Sequence, residues 1–255
     1  SNQTVPFDEQ DISIRFENVG FSYADAKEKV LCQISLTFPA NKKTAIIGST
    51  GSGKSTLVRL LPRFFDPIEG NIYFNNTNIK SLKLDDLRQL IGYVPQKASL
   101  FSGTIRFNLT LNNPTVTEED ILKSIDMAQA TSIISEKESG LDSDLTQKGA
   151  NLSGGQKQRL AIARALAKKP KVLIFDDSFS ALDAMTDRLV RNSLKDLKHT
   201  TQIIVSQKIS SIIDCDQIIV LDNGKIVGIG QHEQLLKENV VYREIALSQN
   251  ILEVA

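Results

Sequence analysis

Alternating and continuous apolar segments divide the chain into predicted strands. Alternation of apolar and polar residues indicates a strand with one buried face, whereas a short unbroken apolar run indicates a strand that is buried on both faces. The predicted strands occupy residues 12–23, 30–38, 43–48, 70–79, 91–96, 171–175, 201–206 and 216–222. Directly after the last of them, Asn223-Gly224 predicts a tight turn into a final hairpin strand.

Helical patterns lie between these strands and dominate the middle of the chain. The pattern is mainly helical from about residue 97 to 170, and capping-box spacing from Thr117 to Asp120 marks the start of one helix. The predicted helices are 54–65, which ends at Asp66-Pro67, then 84–90, 117–130 and 153–169. The chain therefore predicts an α/β core that is interrupted by a helical insert.

Composition and charge narrow the class of protein. The chain has 255 residues, enough for one large domain or two small ones, and its 30 basic residues (Lys and Arg) equal its 30 acidic residues. This balance gives no general basic surface for nucleic acid or for an anionic membrane. No apolar run is long enough to cross a bilayer. Because the sequence opens with SNQTVPFDEQ and lacks an initiator methionine, we expect a piece of a longer polypeptide.

A glycine-rich segment between a predicted strand and a predicted helix has the pattern of a phosphate-binding loop, G-x-x-x-x-G-K-[ST]. Backbone amides of such a loop and of the following helix point at phosphate oxygens, and glycines let the backbone wrap the anion. Lys54 can neutralise the β- and γ-phosphates, while the Ser55 hydroxyl can bind Mg²⁺. The candidate nucleotide-binding residues are Gly48, Ser49, Thr50, Gly51, Ser52, Gly53, Lys54, Ser55 and Thr56. The strand–loop–helix order favours this reading over a glycine-rich turn with a chance lysine.

Two adjacent carboxylates, Asp176 and Asp177, directly follow the apolar run 171–175. In phosphate-loop enzymes an aspartate at the end of a second buried strand holds Mg²⁺, and Asp176 has that position. The next residue lies where the attacking water sits, so Asp177 is the candidate for polarising it. The alternative is that both acids begin a solvated turn or cap the next helix.

The segment LSGGQKQRLAIARAL (152–166) is the most specific indication of a protein family in the sequence. With its neighbours it resembles the nucleotide-binding domain of ATP-binding cassette (ABC) transporters, and the resemblance covers nearly the whole chain. It implies ATP and Mg²⁺ as cofactors, and a head-to-tail pair of domains in which each ATP lies between one domain's phosphate loop and the other's signature. The signature residues are Ser153, Gly154, Gly155 and Gln156.

The resemblance also implies a fold, α/β of the phosphate-loop NTPase (RecA-like) class. This class has a mostly parallel core sheet, an antiparallel β portion and an inserted α-helical subdomain. We expect a single ABC ATPase domain over 1–255. Its expected parts are a core with the antiparallel portion at about 10–96 and 170–240, a helical subdomain at about 97–169 and C-terminal helices at about 231–250.

Three further residues acquire roles from the resemblance. Tyr23 is expected to stack on adenine, the alternative being a strand tyrosine that faces solvent. Gln96 is expected to reach Mg²⁺ and the attacking water, and Asp183 to cross the interface between the two domains. Segments 11–23 and 86–109 resemble the exporter branch in particular. A membrane domain is therefore expected to precede this sequence in the full-length protein. The ATPase domain is expected to lie at the cytoplasmic face of the cell membrane.

The sequence departs from the family at two catalytic positions. The family's catalytic glutamate is Asp177 here, one methylene shorter, and its γ-phosphate histidine is Gln207. A third difference is Gln147, where exporters usually have glutamate. The histidines His199 and His232 are interpreted as surface or capping residues. The pattern resembles the degenerate half of heterodimeric exporters, with Asp177, Gln207 and Gln96 as the catalytic set of an impaired site.

The predicted partner is therefore a second ABC ATPase domain on a different chain, with the catalytic glutamate and histidine. This chain's intact signature completes the partner's site, and no nucleic acid is expected as a partner. Two alternatives remain: a soluble ABC ATPase of nucleic-acid metabolism, and a nucleotide-binding regulatory module without turnover.

Overall fold

The computed structural model describes residues 11–24, 26, 28–146 and 149–251, so that Gln147 lies outside the described residues. The chain divides into two compact units, one formed by residues up to Leu90 and from His199 onward, the other by Ile91–Lys198. Among the described residues, no helix combines the length and the apolar character that crossing a membrane requires.

Strands and helices alternate along most of the described chain. In chain order the strands are β1 (Ile14–Phe21), β2 (Leu31–Phe38), β3 (Lys43–Ile47), β4 (Glu69–Phe74), β5 (Thr77–Asn78), β6 (Ile91–Val94), β7 (Gly103–Thr104), β8 (Asp144–Leu145), β9 (Val172–Asp176), β10 (Thr201–Val205), β11 (Gln217–Asp222) and β12 (Lys225–Gly230). The α-helices are α1 (Lys54–Arg59), α2 (Leu84–Leu90), α3 (Ile105–Thr110), α4 (Glu118–Met127), α5 (Thr131–Ser135), α6 (Gly154–Ala167), α7 (Ala184–Ser193), α8 (His232–Glu238) and α9 (Val240–Ser248).

The first unit contains an antiparallel sheet with the strand order β2-β1-β4-β5. In β1, Ile14 lies opposite Phe38 of β2 on one side and opposite Phe74 of β4 on the other. These three side chains are fully buried, as the alternating pattern of β1 and β2 predicts. The antiparallel portion expected from the sequence is thus confirmed.

The same unit contains parallel strands that support the glycine-rich loop. Strand β3 pairs in parallel with β10 on one side and with β11 on the other, and β12 returns antiparallel to β11. All residues of β10 are buried, as expected for an unbroken apolar run. Asn223 and Gly224 both have positive φ (45° and 73°), which is the backbone that the predicted hairpin turn requires.

The second unit combines a parallel strand pair with the helical insert. Strands β6 and β9 run parallel, and every residue of β9 is buried. Helix α4 begins with the predicted capping box: Thr117 accepts a hydrogen bond from the amide of Asp120, and Asp120 accepts one from the amide of Thr117. Helix α6 buries most of its second half. The α/β class, with parallel and antiparallel strands and a helical insert, is therefore confirmed.

Two local predictions are wrong. Helix α1 ends at Arg59 rather than near Phe65. Pro62 has no amide to continue the helical hydrogen bonds and disfavours helical backbone at the preceding residue. His232, predicted at the surface or as a cap, is buried, and its Nδ1 lies 2.8 Å from the Tyr242 hydroxyl.

Candidate functional site

The glycine-rich loop connects β3 to α1 and is closed around a lysine ammonium. Lys54 Nζ donates hydrogen bonds to the carbonyl oxygens of Gly48, at 2.9 Å, and Ser49, at 2.6 Å. A third contact, to Ser52 Oγ, measures 3.4 Å. Only 7% of the Lys54 residue surface is exposed, so the loop holds a nearly buried positive charge against its own backbone. This is the cation that the motif predicts for phosphate binding.

Glycine is required at the two ends of this loop for different reasons. A Cβ at Gly48 would stand 2.0 Å from the carbonyl oxygen of Leu221, which no side chain can accommodate. Gly53 has φ of 102°, where residues with a side chain are strained. In the middle of the loop, Gly51 has φ of 80° and open space around its Cβ position. The loop therefore has no room for a side chain at Gly48 and a constrained backbone at Gly53, whereas open space surrounds Gly51 at its centre.

Tyr23 lies beside this loop in the first unit. Its hydroxyl is 3.0 Å from the hydroxyl of Thr56, the last residue of the motif. The ring packs at nearly a right angle against Phe21 and against Phe65, with centroids 5.0 Å and 5.3 Å apart. Phe65 remains 38% exposed and was not singled out by the sequence, although two consecutive phenylalanines there are a visible signal. The structure thus brings the predicted adenine-stacking residue to the phosphate loop.

Gln207 follows β10, which pairs with β3, so it emerges at the edge of the sheet where β3 opens into the loop. The pairing continues through Ser206, whose amide donates to the carbonyl of Ile46 at 3.1 Å. Gln207 is exposed, and its backbone carbonyl accepts a hydrogen bond from the side chain of Gln249, at 2.6 Å.

In the second unit, Asp176 ends strand β9 as a fully buried carboxylate. The hydroxyl of Tyr93 on the neighbouring strand β6 donates to Asp176 Oδ2 at 2.7 Å. A buried carboxylate is stable when it is hydrogen-bonded or bound to a metal, and Tyr93 supplies one such contact. Sequence analysis did not single out Tyr93, because its contact with Asp176 depends on the register between β6 and β9.

Asp177 has a left-handed backbone and contacts the predicted glutamine. Its φ is 50°, a conformation that aspartate adopts more readily than most residues. Its Oδ2 accepts a hydrogen bond from Gln96 Nε2 at 3.1 Å. The structure therefore brings together two of the three predicted catalytic side chains, Gln96 and Asp177, next to the buried Asp176.

The loop that contains Gln96 is tied to helix α6. The side-chain amide of Gln158 donates to the carbonyl of Pro95 at 3.0 Å and accepts from the amide of Ala98 at 3.1 Å. Arg164 donates to the carbonyl of Ser99, also at 3.0 Å. Gln158 is only 1% exposed. Sequence analysis did not single it out, since a buried polar residue on a helix is not visible as such in a pattern.

The signature residues open helix α6 through a reciprocal cap. Ser153 Oγ accepts from the amide of Gln156 at 3.2 Å, and Gln156 Oε1 accepts from the amide of Ser153 at 2.9 Å. Around the Cβ position of Gly154 there is open space, and at Gly155 the nearest atom is the Ala181 carbonyl oxygen at 3.5 Å. The prediction that Ser153 caps this helix is confirmed, and the exposed Gly154 leaves the helix start open to a ligand.

Asp183 caps helix α7. One of its carboxylate oxygens accepts from the amides of Met185, at 3.1 Å, and Thr186, at 2.9 Å, while the other accepts from the Thr186 hydroxyl at 2.6 Å. The hydrogen bond from Thr186 is the main reason that the pKa of Asp183 is lowered. Within this chain Asp183 therefore acts as a helix cap, and its contact across a domain interface stays a prediction.

Comparison with known proteins identifies the family. The ABC transporter family model matches residues 31–180, more than half of the chain. The chain is 41% identical over 243 residues to the Homo sapiens protein named iron-sulfur clusters transporter ABCB7, mitochondrial, covering 94% of this chain and 32% of that protein. It is 40% identical over 236 residues to the uncharacterized ABC transporter ATP-binding protein YfiB of Bacillus subtilis, covering 92% and 41% respectively.

Similarity to a solved structure supports the same family. The structure of a bacterial Atm1-family ABC exporter with ATP bound matches 99% of this chain and 44% of that chain, with a TM-score of 0.90 and 34% sequence identity. This chain spans less than half the length of each of these three proteins. Its phosphate loop, signature and fold agree with these matches: the chain is an ABC-type ATPase that belongs to the ABC transporter family.

Proposed function

We propose that this chain binds Mg²⁺-ATP and forms one ATPase half of a heterodimeric exporter, with its own phosphate-loop site impaired. The observation that supports nucleotide binding most directly is the Lys54 ammonium, held by the carbonyls of Gly48 and Ser49. A triphosphate offers this cation stronger acceptors than neutral carbonyls, because hydrogen bonds to charged groups are shorter and stronger. The open space at Gly51 leaves room beside the loop.

The proposed magnesium ligands are hard oxygen donors. Ser55 supplies a hydroxyl, Asp176 a buried carboxylate and Gln96 an amide oxygen, a donor set that suits Mg²⁺. When bound, the ion neutralises phosphate charge.

The impairment is proposed from Asp177 and Gln207. A general base needs its carboxylate within hydrogen-bond reach of the water, and such a base contributes roughly 10²–10⁴-fold. The shorter aspartate withdraws from that water, and its Oδ2 already accepts from Gln96. Gln207 can donate a hydrogen bond but cannot carry a positive charge or relay a proton. Two such losses in one site support a division of labour with a partner.

The intact signature supports the other half of this division. The exposed start of α6, with the capping residue Ser153 and the open space at Gly154, is proposed to complete the ATP site of a partner chain that has the catalytic glutamate and histidine. The similarity to the Atm1-family exporter supports export as the function of the complete protein. A membrane domain before this domain and a position of the ATPase at the cytoplasmic face are further parts of the proposal. The domain limits of 1–255, with a helical subdomain at about 97–169, are part of this proposal.

Calorimetric titration of the purified chain with Mg²⁺-ATP, together with a steady-state ATPase assay, tests the proposal. We expect binding with very slow turnover, and loss of most affinity in Lys54→Ala, because this change deletes the phosphate counter-charge. Lys123→Ala is the matched control, since Lys123 is exposed on α4. Unchanged binding in Lys54→Ala contradicts the nucleotide site, and fast turnover by the chain alone contradicts the impaired site.

A further inference from the structure

The loop that contains Gln207 is held by a residue near the end of the described chain. The side chain of Gln249 makes two hydrogen bonds to this loop: Nε2 donates to the carbonyl of Gln207 at 2.6 Å, and Oε1 accepts from the amide of Ile209 at 2.9 Å. One amide group thus pairs with the backbone on both sides of Lys208, as a neighbouring strand would.

Helix α9 places Gln249 at this position. Tyr242 and Ala246 are fully buried on one face of the helix, and Gln249, the residue that caps its C-terminal end, follows them at the spacing i, i+4, i+7. The hydrogen-bonded contact of Tyr242 with His232 fixes α9 further. The buried face of the helix therefore sets the direction in which the Gln249 side chain leaves it.

The other side of the loop is attached to the parallel strands. The amide of Ser206 donates to the carbonyl of Ile46, and Ser206 Oγ accepts from the amide of Lys208 at 3.0 Å. Ile209 is fully buried. Gln207 and Lys208 are exposed between these attachments, and the backbone on both sides sets where the Gln207 side chain begins.

We propose that Gln249 is a positioning residue for Gln207: its two hydrogen bonds hold the Gln207 backbone so that the side-chain amide meets the γ-phosphate of ATP. This inference rests on the proposed function, in which Gln207 makes that contact. It adds a dependence on helix α9, which takes no part in the phosphate loop or the signature. Loss of the Gln249 contacts should weaken recognition of the third phosphate and leave recognition of the first two unchanged.

The test compares the affinity of the purified chain for Mg²⁺-ATP and Mg²⁺-ADP. Gln207→Ala and Gln249→Leu should each lower the preference for ATP by about threefold to tenfold, the range of one hydrogen bond. The double variant should lower it no further, because both changes remove the same contact. Ser248→Ala is the control, since Ser248 lies on the same helix and its hydroxyl donates locally, to the carbonyl of Ile245. A general loss of folding would weaken binding of both nucleotides equally and would leave their ratio unchanged.

Hydrogen exchange at the Ile209 amide supplies a second readout. We expect Gln249→Leu to speed this exchange by about tenfold, since the amide loses its acceptor. Gln249→Glu keeps an acceptor for Ile209 but loses the donor to Gln207, so it should keep the protection and still lower the preference for ATP.

The outcomes separate the inference from the proposed function. A reduced preference in Gln207→Ala with an unchanged one in Gln249→Leu overturns the inference alone, as does unchanged exchange at Ile209 in Gln249→Leu. An unchanged preference in Gln207→Ala overturns the γ-phosphate role of Gln207 and the inference with it. ATP binding by the phosphate loop, tested by Lys54→Ala, is unaffected by that result.

Discussion

The side-chain amide of Gln96 donates a hydrogen bond to the carboxylate of Asp177, with 3.1 Å between Nε2 and Oδ2, and Asp177 has a left-handed backbone with φ of 50°. The carboxylate is thus oriented by both a side-chain donor and an uncommon backbone conformation. Because the backbone of residue 177 is held in this conformation, the length of its side chain determines how far the carboxylate extends toward the attacking water.

The double change Asp177→Glu with Gln207→His should raise ATP turnover. The longer carboxylate regains reach to the attacking water, and the histidine regains a γ-phosphate contact that can hold a proton. Since the chain's own signature is intact, a homodimer of this variant contains two complete sites. We expect turnover at least roughly tenfold above the parent, and above either single variant, because both groups act on the same water and phosphate. The measurement is a steady-state ATPase assay over a range of protein concentrations.

The control for this prediction is the same double variant with Lys54→Ala, which should return turnover to the background. Glutamate adopts a left-handed backbone less readily than aspartate, so Asp177→Glu should also lower the free energy of unfolding, by about 1 kcal/mol. Absence of any gain, in a variant that binds ATP normally, means that these two positions do not impair the site.

Gly154→Leu should separate folding from signature function. A Cβ atom at Gly154 would have no heavy atom of this chain within 4 Å, and leucine in a helix is favoured over glycine by roughly 0.5–1 kcal/mol. We therefore expect unchanged or higher stability and unchanged ATP affinity in the purified chain. In the assembled transporter, turnover at the partner's site should collapse, because the side chain blocks close approach of phosphate to the helix start. Gly154→Ala is the graded control, and a parallel loss of ATP affinity in the lone chain contradicts the head-to-tail arrangement.

Gln158→Leu should loosen the loop around Gln96. The change deletes two hydrogen bonds from a buried side chain and leaves the Pro95 carbonyl and the Ala98 amide without that partner. We expect the free energy of unfolding to fall by about 1–3 kcal/mol, measured by urea denaturation. Gln234→Leu on α8 is the matched control, because Gln234 is exposed and its hydrogen bond to Glu238 lies in solvent. Equal stabilities of the two variants contradict the role of Gln158.

The stabilising effect of Asp183 should depend on pH. Hydrogen bonds, first of all from the Thr186 hydroxyl, lower the pKa of Asp183 in the folded chain. A lowered folded-state pKa contributes stability that is present above the ordinary aspartate pKa and is lost as the pH falls through the folded-state value. Asp183→Ala should therefore melt at a lower temperature than the parent near neutral pH, and the difference should shrink in acid. A difference that persists unchanged in acid contradicts the ionised cap.

The sequence predicted elements whose cause is local, and it missed contacts whose cause is distant. The strands β9, β10 and β11 and the cap at Ser153 follow from neighbouring residues alone. Gln158, by contrast, meets Pro95 63 positions away along the chain, and Tyr93 meets Asp176 across 83 positions. Such contacts depend on strand register and helix packing, which a linear pattern does not encode.

The same distinction explains the two errors. His232 lies in a polar segment at the start of α8, but it is buried and contacts Tyr242 of α9, which lies ten positions further along the chain. For the helix after the phosphate loop, the apolar residues continue past Arg59, but the backbone chemistry of Pro62 ends the helix against that pattern. In both cases a feature outside the local pattern of hydrophobicity decides the outcome: tertiary packing for His232 and proline chemistry for α1.

The cap at the start of α6 has a consequence for the entropy of association. The Ser153 oxygen accepts from the Gln156 amide through a lone pair, so this contact does not consume the hydroxyl proton, which can still be donated to an incoming anion. Because Gln156 bonds back to the Ser153 amide, the two hydrogen bonds restrict both side chains within the chain itself. Immobilising a flexible side chain on binding costs about 0.5–1.5 kcal/mol. The side chains of Ser153 and Gln156 lose this conformational entropy when the helix folds rather than when the ligand binds. The signature is therefore preorganised for its ligand.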